Sequence, residues 1–197
     1  HNSRPRTHRR LTPMLATVWL AVPALRVAVD LSFGDWMTRR ERTSLARQLQ
    51  RCIGANRRLA APLRLHFTNF AAATADHGGD MLPRDEDQLL AWRRAVNDTL
   101  TLHDAPAAQV WAADEIIWLS PDATEPLVAL NDGAVYVVGG IVDRQVKTGL
   151  SLSSAARAGA VARRLPLREF AERPDAHPIM NVDACVRILG DVHNGET

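Results

Sequence analysis

The sequence has little of what would assign a protein to a chemical class at once. Of its 24 lysine and arginine residues only Lys147 is a lysine, and Cys52 and Cys185 are the only cysteines. Both cysteines lie in apolar helical patterns without metal-type spacing, which predicts reduced, buried thiols. The seven histidines contain no H-x-x-x-H pair, so we expect no metal. No apolar run approaches the ~18 residues of a membrane span, so we expect no membrane association.

Two nucleotide-binding signatures are also missing. No G-x-G-x-x-G follows a predicted strand, and there is no G-x-x-x-x-G-K-[ST] loop. The net charge is only +2, so the chain is not a polycation. Its strong preference for arginine over lysine has two interpretations: the base composition of the gene, or contact with phosphate groups, which the arginine fork suits.

The chain divides into a short arm and one domain. Residues 1–24 begin with "HNSRPRTHRR" and predict a flexible basic arm, which is either a linker or a nucleic-acid-binding tail. Because the first residue is His1, we expect an upstream segment in the full-length protein. The whole chain is 46% hydrophobic, and residues 25–197 are predicted to form one domain with a sizeable core.

The first predicted helix has an unusually clear beginning. Thr38 and Glu41 have the spacing of a capping box, in which each side chain binds the other residue's backbone N–H. A helical period then places an apolar face opposite a row of arginines. This row predicts either a phosphate-contacting surface or an ordinary solvated helix face. The apolar face comprises Leu45, Leu49, Cys52 and Ile53, and the arginines are Arg40, Arg47, Arg51, Arg57 and Arg58.

Strand and helix patterns alternate along the chain. Strands are predicted for residues 26–31, 63–70 and 134–140, for 115–122 with a turn at the end, and for 161–167 as a short strand and turn. Helices are predicted for 85–97, 123–130, 151–159 and 182–194, with a loop over 71–80. This alternation predicts an α/β fold with a mostly parallel sheet. In such sheets ligands bind beyond the carboxyl ends of the strands, at a switch in strand order.

Several motifs occur in one order that is specific. They are "DLSFGDWM", "QLQRCIGANRR", "WLSPD", "VYVVGGIVD", "KTGLSLSSAARAG" and "RRLPL", followed by the last helix. This series resembles the tRNA purine-nine N1-methyltransferases, a family of the SPOUT class of S-adenosylmethionine-dependent enzymes. The resemblance implies a SPOUT-type parallel-sheet domain with a C-terminal trefoil knot, an exception to unknotted topology. It also implies methylation of N1 of guanosine or adenosine at position nine of tRNA.

The resemblance implies a cofactor site in the last third of the chain. S-adenosyl-L-methionine would be held largely by backbone groups, with Asp143 next to the methyl acceptor as the catalytic carboxylate. The "DRQVKTG" segment after Asp143 departs from the common form of the family, which leaves the choice between guanosine and adenosine open. The cofactor-binding residues implied are Leu119, Gly139, Asp143, Ser151, Leu165, Ile179, Met180, Asn181 and Asp183.

The resemblance also implies partners and a location. A tRNA would be bound by the first helix and by the segment after Asp143, and the chain would be a monomer. The alternative function is that of an RNA-binding scaffold in tRNA 5′-end processing, with a protein partner if the chain belongs to the mitochondrial branch. We expect an intracellular location, in the nucleus or cytoplasm, with the mitochondrion as the alternative. The tRNA-contacting residues implied are Gln48, Arg51, Arg57, Arg58, Arg144 and Lys147.

Overall fold

Six short strands form one parallel sheet. The computed structural model describes residues 24–81, 92, 94–96, 98–142, 148–170 and 180–195. All strand pairs are parallel, in the order β3-β2-β1-β5-β4-β6. The predicted α/β fold with a parallel sheet is therefore confirmed. The strands are β1 (Arg26–Asp30), β2 (Arg64–Thr68), β3 (Leu100–Leu102), β4 (Ile116–Leu119), β5 (Val135–Gly139) and β6 (Val161–Arg163).

Helices cover both faces of the sheet. The capping box of the first helix is present: the Thr38 backbone donates to Glu41 Oε2 at 2.8 Å, and the Glu41 backbone donates to Thr38 Oγ1 at 3.4 Å. Two short 3₁₀ helices, Gly34–Trp36 and Ala113–Glu115, precede the first α-helix and β4. The helices are α1 (Arg39–Asn56), α2 (Phe70–Met81), α3 (Ala107–Val110), α4 (Leu150–Arg157), α5 (Leu167–Phe170) and α6 (Val182–His193).

The core explains why β1 lies in the middle of the sheet. Successive side chains of a strand point to opposite faces, and in β1 both faces are apolar. Val27 and Val29 pack with the buried faces of α1 and α6, while Ala28 packs with Trp118 and the α4 residue Ala155. A strand that is apolar on both sides is stable only when it is covered on both sides, as in doubly wound folds.

Two sequence predictions were wrong. Residues 71–80, predicted as a loop, belong to α2, where the alanine-rich start favours helix enough to include the glycines. Residues 123–130, predicted as a helix, run beside the end of β6: Arg164 donates to the Glu125 carbonyl and accepts from Leu127 N. The predicted helix over 85–97 lies mostly outside the described residues.

The order of strands positions the site. After β3 the chain crosses to β4, and β5 then returns to lie between β1 and β4. Such a switch in strand order leaves a crevice at the carboxyl ends of the strands. The predicted trefoil knot depends on residues 143–147 and 171–179, which lie outside the described part of the chain, so it stays a prediction. None of the described helices is long and apolar enough to cross a membrane.

Candidate active site

A cavity of about 130 Å³ opens at the carboxyl ends of β4, β5 and β6. Its walls are mostly apolar, with a few hydroxyl, carboxylate and guanidinium groups at the edges, which is typical of a site for a small organic ligand. The described residues that line it are Leu119, Ser120, Pro121, Asp122, Val138, Gly139, Ile141, Thr148, Leu150, Ser151, Arg164, Leu165, Leu167, Arg168, Met180, Val182 and Cys185.

The two glycines that end β5 have different surroundings. A Cβ on Gly139 would lie 2.9 Å from Ser151 Oγ and 3.3 Å from Phe33 Cε2, so a side chain there would intrude on the cavity wall. A Cβ on Gly140 would instead lie 2.6 Å from the carbonyl oxygen of Asp30. The Gly140 backbone donates a hydrogen bond to that same oxygen at 2.7 Å. Gly139 therefore shapes the cavity, whereas Gly140 allows β5 to pack against the end of β1.

One side of the cavity is fixed by a hydrogen-bonded connection between two loops. Asp122 Oδ2 accepts from the backbone N–H of Gly149 at 2.6 Å, and the Asp122 N–H donates to Ser120 Oγ at 3.3 Å. Gly149 has φ +79°, a left-handed conformation that favours glycine. Its carbonyl accepts from Ser153 N at 2.8 Å in the first turn of α4. This connection places Ser151 opposite Gly139.

The opposite side is formed by the amino end of α6. Gln48, on α1, is only 2% exposed. Its Oε1 accepts from the Val182 backbone at 2.8 Å, and its Nε2 donates to Asn181 Oδ1 at 3.4 Å. The Gln48 amide thus satisfies one of the orphan N–H groups of the helix terminus. It also fixes Val182 in the cavity wall.

A buried carboxylate lies at the end of β1, next to the site. Asp30 is 3% exposed, and burial raises the pKa of its carboxyl group, against the opposing effect of hydrogen bonds from Ser32, Asn69 and Thr68. The Ser32 hydroxyl donates to Asp30 Oδ2 at 2.9 Å. The carboxylate therefore orders the turn that follows β1.

Arginines border the rim of the cavity. Arg164 donates from both terminal nitrogens to the carboxylate of Glu169, at 2.9 and 2.6 Å. The Arg164 hydrogen bond lowers the pKa of Glu169, so this pair stays ionised at neutral pH. Arg168 borders the same rim. The charge of Arg164 is thus offset by Glu169, and Arg168 adds a positive charge at the rim.

The thiols do not supply a nucleophile. Both cysteines are free, as predicted, and Cys185 borders the cavity. Burial raises the pKa of Cys185 to about 12 and raises that of Cys52 as well. Because only the thiolate is a strong nucleophile, both thiols stay unreactive near neutral pH. The described residues include no group of three metal-ligating side chains.

The structure brings together five of the cofactor residues implied by the sequence. Leu119, Gly139, Ser151, Leu165 and Met180 all line the cavity. Of the others, Asn181 and Asp183 flank the lining residue Val182, and Asp183 accepts from Arg51 at 2.5 Å. Ile179 and Asp143, the predicted catalytic residue, lie outside the described residues.

The predicted tRNA-contacting residues have different surroundings. Arg57 and Arg58 are exposed at the end of α1, together with Arg40 and Arg47 along its outer face. Arg51 is exposed but paired with Asp183. Gln48 is buried, as described above, and Arg144 and Lys147 lie outside the described residues. Sequence reasoning missed Asp122 and Arg168, although "WLSPD" and "RRLPLR" place both just beyond predicted strand ends.

Comparison with known proteins decides the family. The family model described as tRNA (guanine(9)-N(1))-methyltransferase TRM10/TRM10A matches residues 4–197. The chain belongs to this family. Among curated TRM10 relatives, tRNA methyltransferase 10 homolog A of Rattus norvegicus is 28% identical over 86% of this chain and 45% of its own length. The tRNA (guanine(9)-N1)-methyltransferase of Schizosaccharomyces pombe is 26% identical over 84% of this chain and 52% of its own.

Solved TRM10 structures have the same fold. Full-length spTrm10 in complex with SAH superposes with a TM-score of 0.71 at 24% identity, covering 86% of this chain and 88% of that one. A dual-specific Trm10 from Thermococcus kodakaraensis gives 0.58 at 18% identity, covering 88% and 94%. These similarities show that this chain has the fold of the solved Trm10 proteins. The chain spans about half the length of the curated relatives it matches.

Proposed function

We propose that this protein transfers a methyl group from S-adenosylmethionine to N1 of the purine at position nine of tRNA. The observation that carries the proposal is the cavity at the carboxyl ends of β4, β5 and β6, in a chain of the TRM10 family. The family model and the Schizosaccharomyces pombe relative are named for methylation of guanine nine, and one solved relative is a complex with SAH. Both facts support the same reaction here.

The cavity suits the proposed cofactor. Apolar walls formed by Leu119, Leu165 and Val138 fit the flat faces of an adenine ring, and the bare backbone at Gly139 provides close approach for a bound ligand. Leu119, Gly139, Ser151, Leu165 and Met180 are the described residues that would hold the cofactor. When bound, S-adenosylmethionine supplies a methyl group on a positively charged sulfur.

Position nine must leave its tertiary contacts before N1 can react. N1 lies on the Watson–Crick edge, so the base has to turn out of its stack. Holding N1 in line with the methyl group is then the main contribution of the protein. Guanine N1 also has to lose a proton, whereas adenine N1 already carries a lone pair. A nearby carboxylate therefore matters more for guanosine.

We assign that carboxylate to Asp143 from its place in the sequence. It follows Val142, whose backbone N lies 3.3 Å from Met37 Sδ, so the chain enters this segment beside the turn after β1. An ordinary aspartate has a pKa of ~3.9 and is a weak base at neutral pH. Asp143 would orient the base in either case, and would accept the N1 proton of guanine.

The exposed arginines of α1 suit the RNA backbone. Arg40 and Arg47 lie along the outer face of the helix, and Arg57 and Arg58 lie at its end. Arginine forks bind phosphate oxygens with two parallel hydrogen bonds. A row of such groups on one surface is typical of a nucleic-acid contact whose affinity falls with salt.

The direct test is nucleoside mass spectrometry after reaction with S-adenosylmethionine. Three otherwise identical tRNA transcripts with guanosine, adenosine or uridine at position nine serve as substrates. We expect N1-methylguanosine, N1-methyladenosine or both from the purine transcripts, and no product from the uridine transcript. The ratio of the two products gives the base preference.

The uridine transcript is the control for methylation elsewhere in the tRNA. Equal methylation of all three transcripts would place the product at another position and contradict the proposal. Binding of the transcripts without methylation of either purine would favour the scaffold function instead.

A further inference from the structure

The chain leaves β5 through a short segment whose backbone N–H groups are all hydrogen-bonded. The Gly140 N–H donates to the last carbonyl of β1 at 2.7 Å, and the Ile141 N–H donates to the last carbonyl of β5 at 2.9 Å. The Val142 N–H donates to the sulfur of Met37 at 3.3 Å. Because the first two acceptors belong to the backbone, the Met37 sulfur is the acceptor that a substitution can remove.

This segment connects the cavity wall to the predicted catalytic carboxylate. Gly139 and Ile141 line the cavity, and Asp143 follows Ile141 by two residues. Consecutive Cα atoms of a chain are only about 3.8 Å apart, so an anchored Val142 restricts the positions that Asp143 can take. The Met37 sulfur therefore binds the backbone one residue before the proposed catalytic group.

Met37 is itself held in place before any ligand binds. It is 4% exposed, and its N–H donates to the carbonyl of Gly34 at 3.2 Å. Arg42 Nη1 donates to the carbonyl of Met37 at 2.5 Å and to that of Gly34 at 3.3 Å. The Arg42 side chain is largely buried and pairs with Asp80 of α2 at 3.2 Å. A rigid, planar guanidinium thus fixes the backbone that carries the sulfur.

The chemistry of the side chain separates anchoring from packing. A thioether is a weak hydrogen-bond acceptor, and the rest of the methionine side chain is apolar. Leucine fills nearly the same volume but offers no acceptor. Val142 is half-buried, and a buried N–H without a partner is unfavourable. A need for the sulfur beyond apolar bulk would therefore reveal the anchoring role.

We propose that Met37 is a positioning residue for the methyl transfer, and that its sulfur sets the direction in which the chain leaves β5 towards Asp143. The proposal rests on the function proposed above, because that function assigns the carboxylate at N1 to Asp143. Met37 acts through the Val142 backbone, and it does not contact the cofactor or the base.

The test is Met37→Leu in the complete chain, a volume-conserving exchange that usually preserves the fold. The kcat and KM on the guanosine and adenosine transcripts and the dissociation constant for S-adenosylmethionine are measured. We expect kcat on the guanosine transcript to fall about tenfold, within the ~10²-fold loss that a misplacement of about 1 Å can cause. The fall should be smaller for adenosine, and the S-adenosylmethionine dissociation constant should not change.

The same exchange in an Asp143→Asn background shows whether Met37 acts through Asp143. Two residues that act on the reaction through one contact have effects that do not add. Met37→Leu should therefore cause little further loss of kcat once the carboxylate is absent. A general weakening of the fold would instead lower kcat by the same factor in both backgrounds.

Ile53→Leu is the matched control. Ile53 is 3% exposed in the same core cluster as Met37, and it lies near the other end of α1. The exchange also conserves volume, so it should change the unfolding free energy about as much as Met37→Leu does. It should leave kcat on both purines unchanged.

Amide hydrogen exchange at Val142 tests the anchor without any methylation. Met37→Leu should speed this exchange about two- to tenfold, the range for the loss of one hydrogen bond. Unchanged exchange at Val142, an unchanged kcat on guanosine, or an equal loss of kcat in the Asp143→Asn background would each overturn the proposal. If the unaltered protein methylates neither purine, the proposed function fails. The exchange rate then still decides whether Met37 anchors the exit of β5.

Discussion

At the scale of single residues, the two glycines at the end of β5 have different structural roles. A pair of glycines at the end of a strand predicts either close packing or close approach of a ligand, and the sequence cannot divide these between the two positions. The structure does: Gly139 faces Ser151 across the cavity wall, and Gly140 faces the backbone of β1. Substitutions at the two positions should therefore affect different properties.

Gly139→Ala should weaken cofactor binding and leave the fold intact. Its methyl group would lie 2.9 Å from Ser151 Oγ, a side-chain atom that can rotate away. The methyl group would then occupy space at the cavity wall. We expect S-adenosylmethionine affinity, measured by calorimetry, to fall about tenfold with an unfolding free energy within ~1 kcal/mol of the original.

Gly140→Ala is the matched control. Its methyl group would lie 2.6 Å from a backbone oxygen, which cannot move without shifting β1. Such overpacking costs about 1–3 kcal/mol or more. Denaturant unfolding should therefore detect Gly140→Ala far more clearly than Gly139→Ala. The reverse order of stabilities would contradict the separate tasks of the two glycines.

Asp143→Asn should separate catalysis from cofactor binding. If Asp143 orients the base and accepts the N1 proton of guanine, the amide loses the proton acceptor but keeps a similar shape. We expect a fall in kcat of about 10²-fold or more for guanosine, the usual size of a general-base effect, with little change in S-adenosylmethionine affinity. The fall should be smaller for adenosine. Unchanged single-turnover rates on both purines would remove Asp143 from the mechanism.

At the scale of elements, local patterns predicted most of the secondary structure. The capping box located the beginning of α1, and period-two or continuous apolar runs located β1, β2, β4 and β5. The errors have local causes as well. Residues 71–80 were predicted as a loop, but the alanines at their start favour helix and α2 continues through the two glycines. The helix predicted over 123–130 competes with backbone hydrogen bonds between Arg164 and residues 125 and 127, far away in the sequence.

The contact between α1 and α6 is an element-scale feature that sequence reasoning interpreted differently. Gln48 is implied by the family resemblance to touch tRNA, yet its amide is buried and bound to Asn181 and to the Val182 backbone. These bonds connect α1 with the amino end of α6. Gln48 therefore acts on the cavity through the position of Val182.

Gln48→Ala should accordingly reduce stability and cofactor affinity together. The Val182 N–H would be left buried without its partner, which costs about 1–3 kcal/mol. Thermal and denaturant unfolding measure the first effect, and calorimetry with S-adenosylmethionine measures the second. Gln50→Ala, on the same helix and half-buried, is the control. Loss of tRNA binding with unchanged stability would instead support a direct tRNA contact by Gln48.

At the scale of the whole molecule, the site is assembled from segments that the sequence keeps apart. Leu119, Gly139 and Leu165 meet because β5 returns between β1 and β4, a strand order that no local pattern specifies. The resemblance to a known family supplied these residues. Asp122 and Arg168 were missed because their roles depend on loops that meet only in the folded chain. Local sequence patterns thus determine the helices and strands, whereas the order of the strands in the sheet determines which residues line the cavity.

A cluster of three rings packs β2 against the segments that follow β3 and α3. His66 of β2 lies with its Nδ1 3.0 Å from Nε2 of His103, and Trp111 meets both rings edge-on, at 5.1 and 5.4 Å between centroids. Burial lowers the pKa of His66 to about 4, and the positive charges of His103, Arg26 and Arg64 act in the same direction. Burial also lowers the pKa of His103.

This cluster predicts that the fold weakens on acidification. The pKa of His66 is about 4 in the folded chain, against an ordinary value of 6.5. The unfolded chain therefore binds the proton first. The stability that neutral His66 contributes is complete above pH 6.5 and is lost as the pH falls towards 4. We expect the unfolding free energy, measured by denaturant titration, to decrease across this range.

His66→Gln should flatten that dependence, because the amide packs in the same place without titrating. The comparison with the unaltered protein removes the contributions of other groups to the pH dependence. One of these groups is Asp30, whose raised pKa stabilises the fold on acidification. Equal slopes for His66→Gln and the unaltered protein would show that His66 titrates with the same pKa in the folded and unfolded chains. The cluster would then hold β2 and Trp111 together without linking the stability of the whole molecule to pH.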